Sequence, residues 1–435
     1  MPLPDLRLRV TSPGLLALPW DTPLTDWDAT EVPLRDIPVG PSRHLVRFIE
    51  TDGRLWALKE LPRRIAAKEY EVLRDLEARS LPAVRPAGLV IQPQEDTAIL
   101  VTRYLEQSWQ FRRLLMRLPP NRPAHRARLL DAMAGLLVDL HRHGVFWGDC
   151  SLANTLFSRD GQVLQAWLVD AETSEIHPRL SDGQRQHDLE ILVENVAGGM
   201  IDLAVRLGRP PEIYQMLIDE AATVAARYQA VWDVLHAETT FSFADRYQVE
   251  GQIRQLNELG FAVDEVYLEP AGTGDDVLRL KVAVADRQFH ASQLRDLTGI
   301  AAGEGQARIL LGELRAYQGL LQQQTRSNVS DAVAARRWVD EVLRPGMERA
   351  HEAVGGVGTP IQTYCDLLEV RWLLSEQAGH DVGAEPALEA LASRAVPVDS
   401  AANMAVAEVS TGQLPKLTPQ LLDEMGRSSG PDEQE

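Results

Sequence analysis

Alternating apolar positions and turn residues in the first quarter of the chain predict a small β-sheet. The segment Thr51-Asp52-Gly53 separates two β-rich runs, which is the usual pattern of a hairpin. Prolines at 82 and 86 interrupt the chain before two more strand-like runs. The predicted strands are 44–50, 54–61, 88–92 and 98–105, and a helix is predicted over 66–79.

Helical spacing of apolar residues marks a long buried helix in the next part of the chain. Its apolar positions are Leu129, Leu130, Met133, Leu136, Leu137 and Leu140. His141 and His143 lie at the end of this helix, where imidazole favours the helix carbonyls, and we expect no catalytic role for them. The helix leads to a loop at Gly148, an apolar strand over 163–169 and a second helical run over 188–207.

From about residue 238 the pattern changes and predicts a separate domain. A helix over 249–259 ends at Gly260, and two alternating runs, 263–268 and 277–284, predict a hairpin around residues 271–274. Helices are then predicted over 290–298, 303–324, 330–343 and 360–378. The charged residues on these helices are expected to form buried ion pairs between helices, with a phosphosugar or partner site as the alternative. They are Arg336, Arg337, Glu369, Arg371 and Glu376.

Composition narrows the class of protein. The 435 residues are 45% hydrophobic and 25% charged, which is typical of a globular protein of two or three domains. A net charge of -19 disfavours nucleic acid and anionic membrane as partners. The two cysteines, Cys150 and Cys365, form no disulfide or metal-site pattern, which fits a reducing cytoplasm. The N-terminus lacks a signal-peptide pattern, and no apolar run approaches the roughly 20 residues of a membrane span, so neither export nor membrane insertion is expected.

Three polar residues flank the strand that follows the Gly148 loop. Asp149 is followed five positions later by Asn154, and Asp170 comes directly after the apolar strand. A kinase-type site uses these groups around a magnesium-bound triphosphate, with one aspartate as the catalytic base and the other two residues as metal ligands. Taken singly, each is ordinary turn or loop chemistry. Their order along the chain favours phosphoryl transfer with ATP and Mg²⁺ as cofactors.

Lys59 lies on the same face of its predicted strand as Leu55 and Ala57, where an unpaired ammonium is unfavourable. Glu69 on the following helix could pair with it and hold it against the nucleotide phosphates, and Glu71 is a rival for that role. The alternative is a lysine that extends to solvent from an edge strand.

The segment Gly148-Asp149-Cys150-Ser151-Leu152-Ala153-Asn154 resembles the catalytic loop of the protein-kinase-like superfamily, particularly bacterial lipopolysaccharide (Kdo/heptose) kinases and aminoglycoside phosphotransferases. The resemblance covers about residues 37–235. It implies Lys59 and Glu69 as the ion pair, Asp149 as the catalytic aspartate, and Asn154 and Asp170 as metal ligands.

The same resemblance places Thr102 at the gatekeeper position and Arg103 to Leu105 in the hinge that binds adenine. Gly40 is the one glycine where the family has a glycine-rich phosphate loop. Asp188 resembles the aspartate that braces the catalytic loop from below.

Two positions depart from the family pattern. Trp147 replaces the usual histidine before the catalytic loop, and Ala171-Glu172 replaces Phe-Gly after the metal aspartate. The segment between Asp170 and Asp188 is too short for a peptide-binding activation loop, which favours a small-molecule or sugar acceptor. A nucleotide-binding pseudokinase that serves as a regulatory scaffold, and an interaction module with a relic site, are the competing hypotheses.

Several C-terminal phrases, among them Asn257-Glu258-Leu259-Gly260-Phe261, resemble a bacterial domain of unknown function (family 4032). The predicted fold is therefore α+β: a bilobal kinase-like fold followed by a mainly helical domain with a small β-hairpin. This last domain is expected to help select a substrate or a protein partner. The predicted divisions are an irregular arm over 1–36 anchored by Trp20 and Trp27, an N-lobe over 37–105, a C-lobe over 106–237, the helical domain over 238–411 and a disordered acidic tail over 412–435.

Overall fold

The computed structural model describes residues 5–9, 12–37, 43–92, 96–113, 123–236, 239–242, 247–270 and 277–408. Three sequence predictions lie outside these residues: the phosphate-loop glycine Gly40, the turn at 271–274 and the acidic tail from residue 412. Among the helices that the structure describes, none combines the length and the apolar character that crossing a bilayer requires.

An antiparallel sheet forms the N-lobe. The elements of this part of the chain are β1 (Asp5–Leu8), α1 (Pro13–Leu16), β2 (Leu34–Arg35), β3 (Val46–Thr51), β4 (Arg54–Pro62), α2 (Arg63–Ala78), β5 (Pro86–Ile91) and β6 (Thr97–Arg103). In the described chain the strands of the sheet lie in the order β1-β5-β6-β4-β3-β2. The predicted hairpin is confirmed, because β3 and β4 pair through a turn in which Asp52 and Gly53 have positive φ. The helix α2 packs its apolar side on the sheet.

The N-terminal arm covers the other face of this sheet. Trp20 and Trp27 are each 4% exposed and belong to one apolar cluster with Trp56 and Leu58 of β4. The arm was expected to be irregular, but β1 pairs with β5 and extends the sheet at its edge. The sheet is therefore covered on both faces, by α2 on one face and by the N-terminal arm on the other.

The C-lobe is mainly helical, and its small strands carry the polar residues of interest. The predicted buried helix is α3 (Pro123–Arg142), and it packs against the hairpin of β9 and β10. The second predicted helix begins six residues earlier than expected, at Asp182, with Ser181 as its cap. The other elements are β7 (Ser108–Gln110), β8 (Val145–Phe146), β9 (Thr155–Asp160), β10 (Val163–Leu168), β11 (Glu175–Ile176), α4 (Asp182–Arg206) and α5 (Tyr214–His236).

The C-terminal region begins with elements that pack on the kinase-like core. Leu256 and Phe261 belong to the same apolar cluster as the C-lobe helices. The predicted hairpin of β13 and β14 is present, and β12 adds a third strand beside β14. The elements are β12 (Thr239–Ser242), α6 (Tyr247–Glu258), β13 (Val263–Pro270) and β14 (Val277–Val284).

A helical bundle with its own core follows. The helix predicted over 330–343 continues further, because a π-helical turn at Val339–Leu343 joins α9 to α10 and places Pro345 in the first turn of α10. The predicted fold class, a two-lobed α+β fold followed by a mainly helical domain, is confirmed. The helices are α7 (Phe289–Thr298), α8 (Glu304–Thr325), α9 (Asp331–Trp338), α10 (Arg344–Ala353), α11 (Pro360–Ala378) and α12 (Ala384–Ala392).

The expectation of buried ion pairs between the C-terminal helices is wrong. Arg337 pairs with Glu341 one turn along its own helix, and both side chains are about half exposed. Arg371 pairs with Asp381 at the surface. The long side chains reach solvent here, where a surface pair contributes little to stability. A buried ion pair does occur elsewhere, and it joins this bundle to the kinase-like part.

Candidate active site

Lys59 and Glu69 form an ion pair across the N-lobe. The Lys59 Nζ atom lies 3.1 Å from Oε2 and 3.4 Å from Oε1 of Glu69, whose side chain is only 1% exposed. Strand alternation directs Lys59 toward α2, as the sequence predicted. Glu71, the rival partner, faces solvent and pairs with Arg74.

Two further carboxylates surround the same ammonium. Asp170 Oδ2 lies 2.8 Å from Lys59 Nζ, and Glu172 Oε2 lies 3.9 Å from it. The backbone N–H of Ala171 donates to Glu69 Oε1 at 3.3 Å, which fixes this segment beside α2. One ammonium therefore faces three carboxylates, and the site carries an excess of negative charge.

That excess suits a divalent cation. Glu69, Asp170 and Glu172 offer ligand oxygens that all lie within 4.8 Å of one another. Carboxylate and amide oxygens are the hard donors that Mg²⁺ prefers. The residues present therefore fit the ion that the catalytic-loop pattern implies.

Burial sets the protonation of the pair. The pKa of Glu69 is raised to about 7, mainly by burial; Lys59 acts in the opposite direction, and the charge of Asp170 adds to the effect of burial. The pKa of Lys59 is raised, because the charges of Glu69 and Asp170 outweigh the effect of its own burial. Lys59 therefore stays charged, and Glu69 exchanges its proton near neutral pH.

The catalytic loop holds Asp149 and Asn154 side by side. The Asn154 Nδ2 amide donates to Asp149 Oδ2 at 2.9 Å and to the Asp149 carbonyl at 3.2 Å. This leaves the Asn154 side-chain carbonyl as the atom that can coordinate a cation. The backbone carbonyl of Asn154 accepts from Val169 N–H at 3.1 Å, which brings Asn154 next to Asp170.

Asp188 braces the loop, as the resemblance implied. Its carboxylate accepts the N–H groups of Trp147 at 2.7 Å and Gly148 at 2.8 Å. Gly148 has a φ of +80°, a conformation that suits glycine and turns the chain toward Asp149. Asp188 lies in the second turn of α4 and does not open that helix, in contrast to the sequence prediction.

His141 takes part in the same network, which the sequence analysis missed. Its Nε2 lies 3.1 Å from Asp188 Oδ2, and its Nδ1 lies 2.8 Å from the Tyr228 hydroxyl. Because a carboxylate only accepts, Nε2 carries the proton and Nδ1 accepts from Tyr228. Burial lowers the pKa of His141, which keeps the ring neutral. His141 thus supplies a buried imidazole near the position where Trp147 replaces the usual histidine.

Seven of the predicted site residues line one cavity of about 290 Å³ between the lobes, and Glu69 reaches it through its pair with Lys59. A larger cavity of about 770 Å³ lies beside Arg185 and Trp232 and contains none of the predicted site residues. We take the smaller one as the candidate site, because Lys59 and the loop that carries Asp149 and Asn154 converge there. Its walls include Lys59, Thr102, Arg103, Leu105, Asp149, Asn154 and Asp170.

The hinge lies along one wall of this cavity. The Arg103 N–H donates to Arg85 O at 2.9 Å, and the Tyr104 N–H donates to Leu55 O at 3.1 Å. The Leu105 carbonyl accepts from Ser108 at 2.7 Å, whereas the Leu105 N–H has no acceptor among the described residues. Of the three hinge amides, that of Leu105 is therefore the one available to a ligand.

Glu172 is the second site residue that sequence reasoning missed. Besides approaching Lys59, its Oε2 lies 3.3 Å from Nε2 of His44, two residues before β3. The signal in the sequence is an acidic residue two positions after Asp170, where the kinase pattern has glycine. The direction of this side chain toward Lys59 depends on the local turn, which the residue type does not reveal.

Comparisons with known proteins agree with these two regions. Residues 52–206 match the model of the lipopolysaccharide kinase (Kdo/WaaP) family, and residues 230–396 match that of a domain of unknown function (DUF4032). Both resemblances inferred from the sequence, to lipopolysaccharide kinases and to this domain, are confirmed. Among solved structures, "WaaP in complex with acyl carrier protein" matches at 19% identity over 46% of this chain and 90% of that chain, with a TM-score of 0.31. No curated protein matches the chain.

Proposed function

We propose that the protein is an ATP- and Mg²⁺-dependent phosphotransferase that acts on a hydroxyl of a small molecule or of a sugar or glycolipid precursor. The observation that carries the proposal is the convergence of the Lys59–Glu69 pair with Asp149, Asn154 and Asp170 at one cavity. The match of residues 52–206 to a kinase family supports it.

Each residue has a role that follows from its position. Lys59, held by Glu69, would bind the α- and β-phosphates. Thr102 and Arg103 would line the adenine site. The Leu105 N–H, which has no acceptor within the described ranges, would donate to the adenine ring. Asn154 and Asp170 would hold the metal ion, which when bound neutralises charge on the β- and γ-phosphates.

Asp149 lies where an acceptor hydroxyl would approach. In the transfer, the hydroxyl oxygen forms a bond to the γ-phosphorus, the bond to the β–γ bridging oxygen breaks, and ADP leaves. Asp149 accepts the hydroxyl proton, a task worth about 10²- to 10⁴-fold in rate. Its bond from the Asn154 amide orients the carboxylate for this purpose.

The segment after Asp170 supports a small acceptor. Between Asp170 and the start of α4 at Asp182 the chain forms only the short strand β11. No long activation loop is present in the fully described range 123–236. A peptide would have little surface to bind there, whereas a sugar hydroxyl could reach Asp149 directly.

The test is transfer of labelled phosphate from γ-labelled ATP to a panel of sugars, sugar phosphates and glycolipid precursors. Wild type is expected to label one class of acceptor, and Asp149→Ala is expected to lose labelling while it still binds Mg²⁺ and ATP. Labelling by Asp149→Ala at the wild-type rate would disprove the catalytic assignment. Binding of ATP by wild type without transfer to any acceptor would favour the pseudokinase hypothesis.

A further inference from the structure

The turn of the β9–β10 hairpin is inserted into the C-terminal domain. The Asp160 carboxylate accepts the N–H of Gly305 at 2.8 Å through Oδ2 and that of Gln306 at 2.9 Å through Oδ1. These amides belong to the first turn of α8, whose capping residue is Gly303. Because a glycine has no side chain to cap a helix, Asp160 supplies that cap from the kinase-like part of the chain.

Gln362 of α11 binds the same turn through its amide group. Its Oε1 accepts the Gly161 N–H at 2.9 Å, and its Nε2 donates to the Gly161 carbonyl at 2.9 Å. The Gln362 side chain is almost fully buried, and Gln306 Nε2 donates to its Oε1 at 3.0 Å. One C-terminal residue thus satisfies both backbone groups of a turn residue about 200 positions away.

A buried ion pair completes the contact. Arg159 of β9 pairs with Asp366, which lies one helical turn beyond Gln362 on α11, and both side chains are buried. Removing one partner of a buried pair leaves an uncompensated charge, so this contact holds the two parts together. We call this set of five residues the hairpin clamp: Arg159, Asp160, Gly161, Gln362 and Asp366.

The hairpin clamp leaves no room for a side chain at Gly303 or Gly305. A Cβ atom on Gly303 would lie 2.2 Å from Asp160 Oδ1, and one on Gly305 would lie 2.2 Å from the Asp160 carbonyl oxygen. Gly161 itself has a φ of +64°. The C-terminal domain is therefore shaped closely to the turn, and the hairpin cannot shift without breaking these contacts.

The other end of the hairpin carries the candidate metal ligands. Strand β9 begins at Thr155, directly after Asn154, and β10 ends at Leu168, two residues before Asp170. The strands pair along their whole length, from Asp160↔Val163 to Thr155↔Leu168. A paired segment of this length spans about 20 Å, so the clamped turn and the candidate ligands lie at its two ends.

We propose that Gln362 is a positioning residue for Asn154 and Asp170: the C-terminal domain holds the hairpin so that the two ligands keep the spacing that Mg²⁺ requires. The inference rests on the proposed function and gives the C-terminal domain a role within the same site. Loss of a group bonded directly to a metal ligand typically changes metal affinity by about 10- to 100-fold. Gln362 acts through the length of the hairpin, so we expect an effect at the lower end of this range.

The experiment compares full-length wild type with Gln362→Ala. The first readout is the Mg²⁺ concentration that gives half-maximal stabilisation by ATP. We expect this concentration to be about 10-fold higher for Gln362→Ala than for wild type. The second is hydrogen exchange at Val169, whose N–H bonds to Asn154 O, measured without ligands. We expect faster exchange at Val169, which a purely local effect at the turn would not produce.

Two variants serve as controls. Asp160→Asn keeps one acceptor for the α8 amides, so we expect an effect between those of wild type and Gln362→Ala. This variant also tests the proposal if Gln362→Ala does not fold. Arg142→Met removes an interdomain contact that α3 makes with the carbonyls of Val284 and Ala285, and it leaves the hydrogen bonds of the hairpin clamp in place. We expect Arg142→Met to keep the wild-type Mg²⁺ requirement and the wild-type exchange at Val169.

Folded Gln362→Ala with the wild-type Mg²⁺ requirement and unchanged exchange at Val169 would overturn the inference. Equal effects of Arg142→Met and Gln362→Ala would also overturn it, because general loosening of the two domains would then explain both. A wild-type protein that shows no Mg²⁺-dependent ATP binding would instead overturn the proposed function, which separates the two failures.

Discussion

The Lys59 Nζ atom lies 2.8 Å from Asp170 Oδ2, although 111 positions separate the two residues in the chain. The contact joins the N-lobe sheet to the segment that follows the catalytic loop. It brings the group proposed to bind phosphate next to the group proposed to bind metal. In the unliganded protein the lysine also neutralises part of the charge of Asp170, a task that Mg²⁺ would share when it binds.

Replacing Lys59 by methionine tests the phosphate-binding role. We expect kcat/KM for ATP to fall by about 10²- to 10³-fold, because a charged donor to the phosphates is lost. The fold should persist, since Glu69 has a pKa of about 7 through burial and can take up a proton when its partner is absent. Steady-state kinetics and the unfolding midpoint measure the two expectations.

The matched control is Lys68→Met, which removes the same charge from an exposed position on α2. Wild-type kinetics are expected for it. Unchanged ATP kinetics in folded Lys59→Met would show that the lysine does not position phosphate.

The raised pKa of Glu69 predicts that an increase in pH lowers the stability of the protein and raises its affinity for Mg²⁺ and ATP. Burial raises this pKa from 4.5 to about 7, so between these values the folded protein binds more protons than the unfolded chain. The contribution of Glu69 to the free energy of unfolding therefore falls as pH rises from 4.5 to 7. Affinity for Mg²⁺ and ATP should rise over pH 6 to 8, because the ionised carboxylate holds Lys59 in place.

Glu69→Gln should remove both trends, and Glu71→Gln, two positions along the same helix, should keep them. The measurement is the unfolding midpoint of each protein across this pH range, with and without both ligands. The difference between wild type and Glu69→Gln isolates the contribution of this carboxylate. Identical pH profiles for the two proteins would refute the assignment.

The sequence predicted the parts of the fold that depend on local pattern. The hairpin around Asp52-Gly53 and the long helix α3 have periodic apolar positions and clear turn residues, and both are present. It also indicated the candidate site, because Asp149, Asn154 and Asp170 follow one another within one short stretch of the chain.

The missed features depend on contacts between distant segments. His141 has no local signal that distinguishes a buried partner of Asp188 from a helix-end histidine, because Asp188 and Tyr228 lie 47 and 87 positions away. Arg371 and Trp372 lie among apolar residues on α11, and the sequence alone does not show that they are exposed. They face solvent because no element of the described chain covers that side of α11. The contact of Gln362 with Gly161 was likewise unpredictable, since a glutamine on a helix carries no mark of the turn that it binds.

The measurement that tests the central claim most directly is the unfolding midpoint of wild type and Asp170→Asn with ATP, with Mg²⁺, with both and with neither. A ligand that binds only the folded protein raises the midpoint, and saturation at 100 times Kd adds about 2.7 kcal/mol. We predict a rise in wild type that requires both ligands together and is lost in Asp170→Asn. An unchanged midpoint in wild type at saturating ATP and Mg²⁺ would contradict the account.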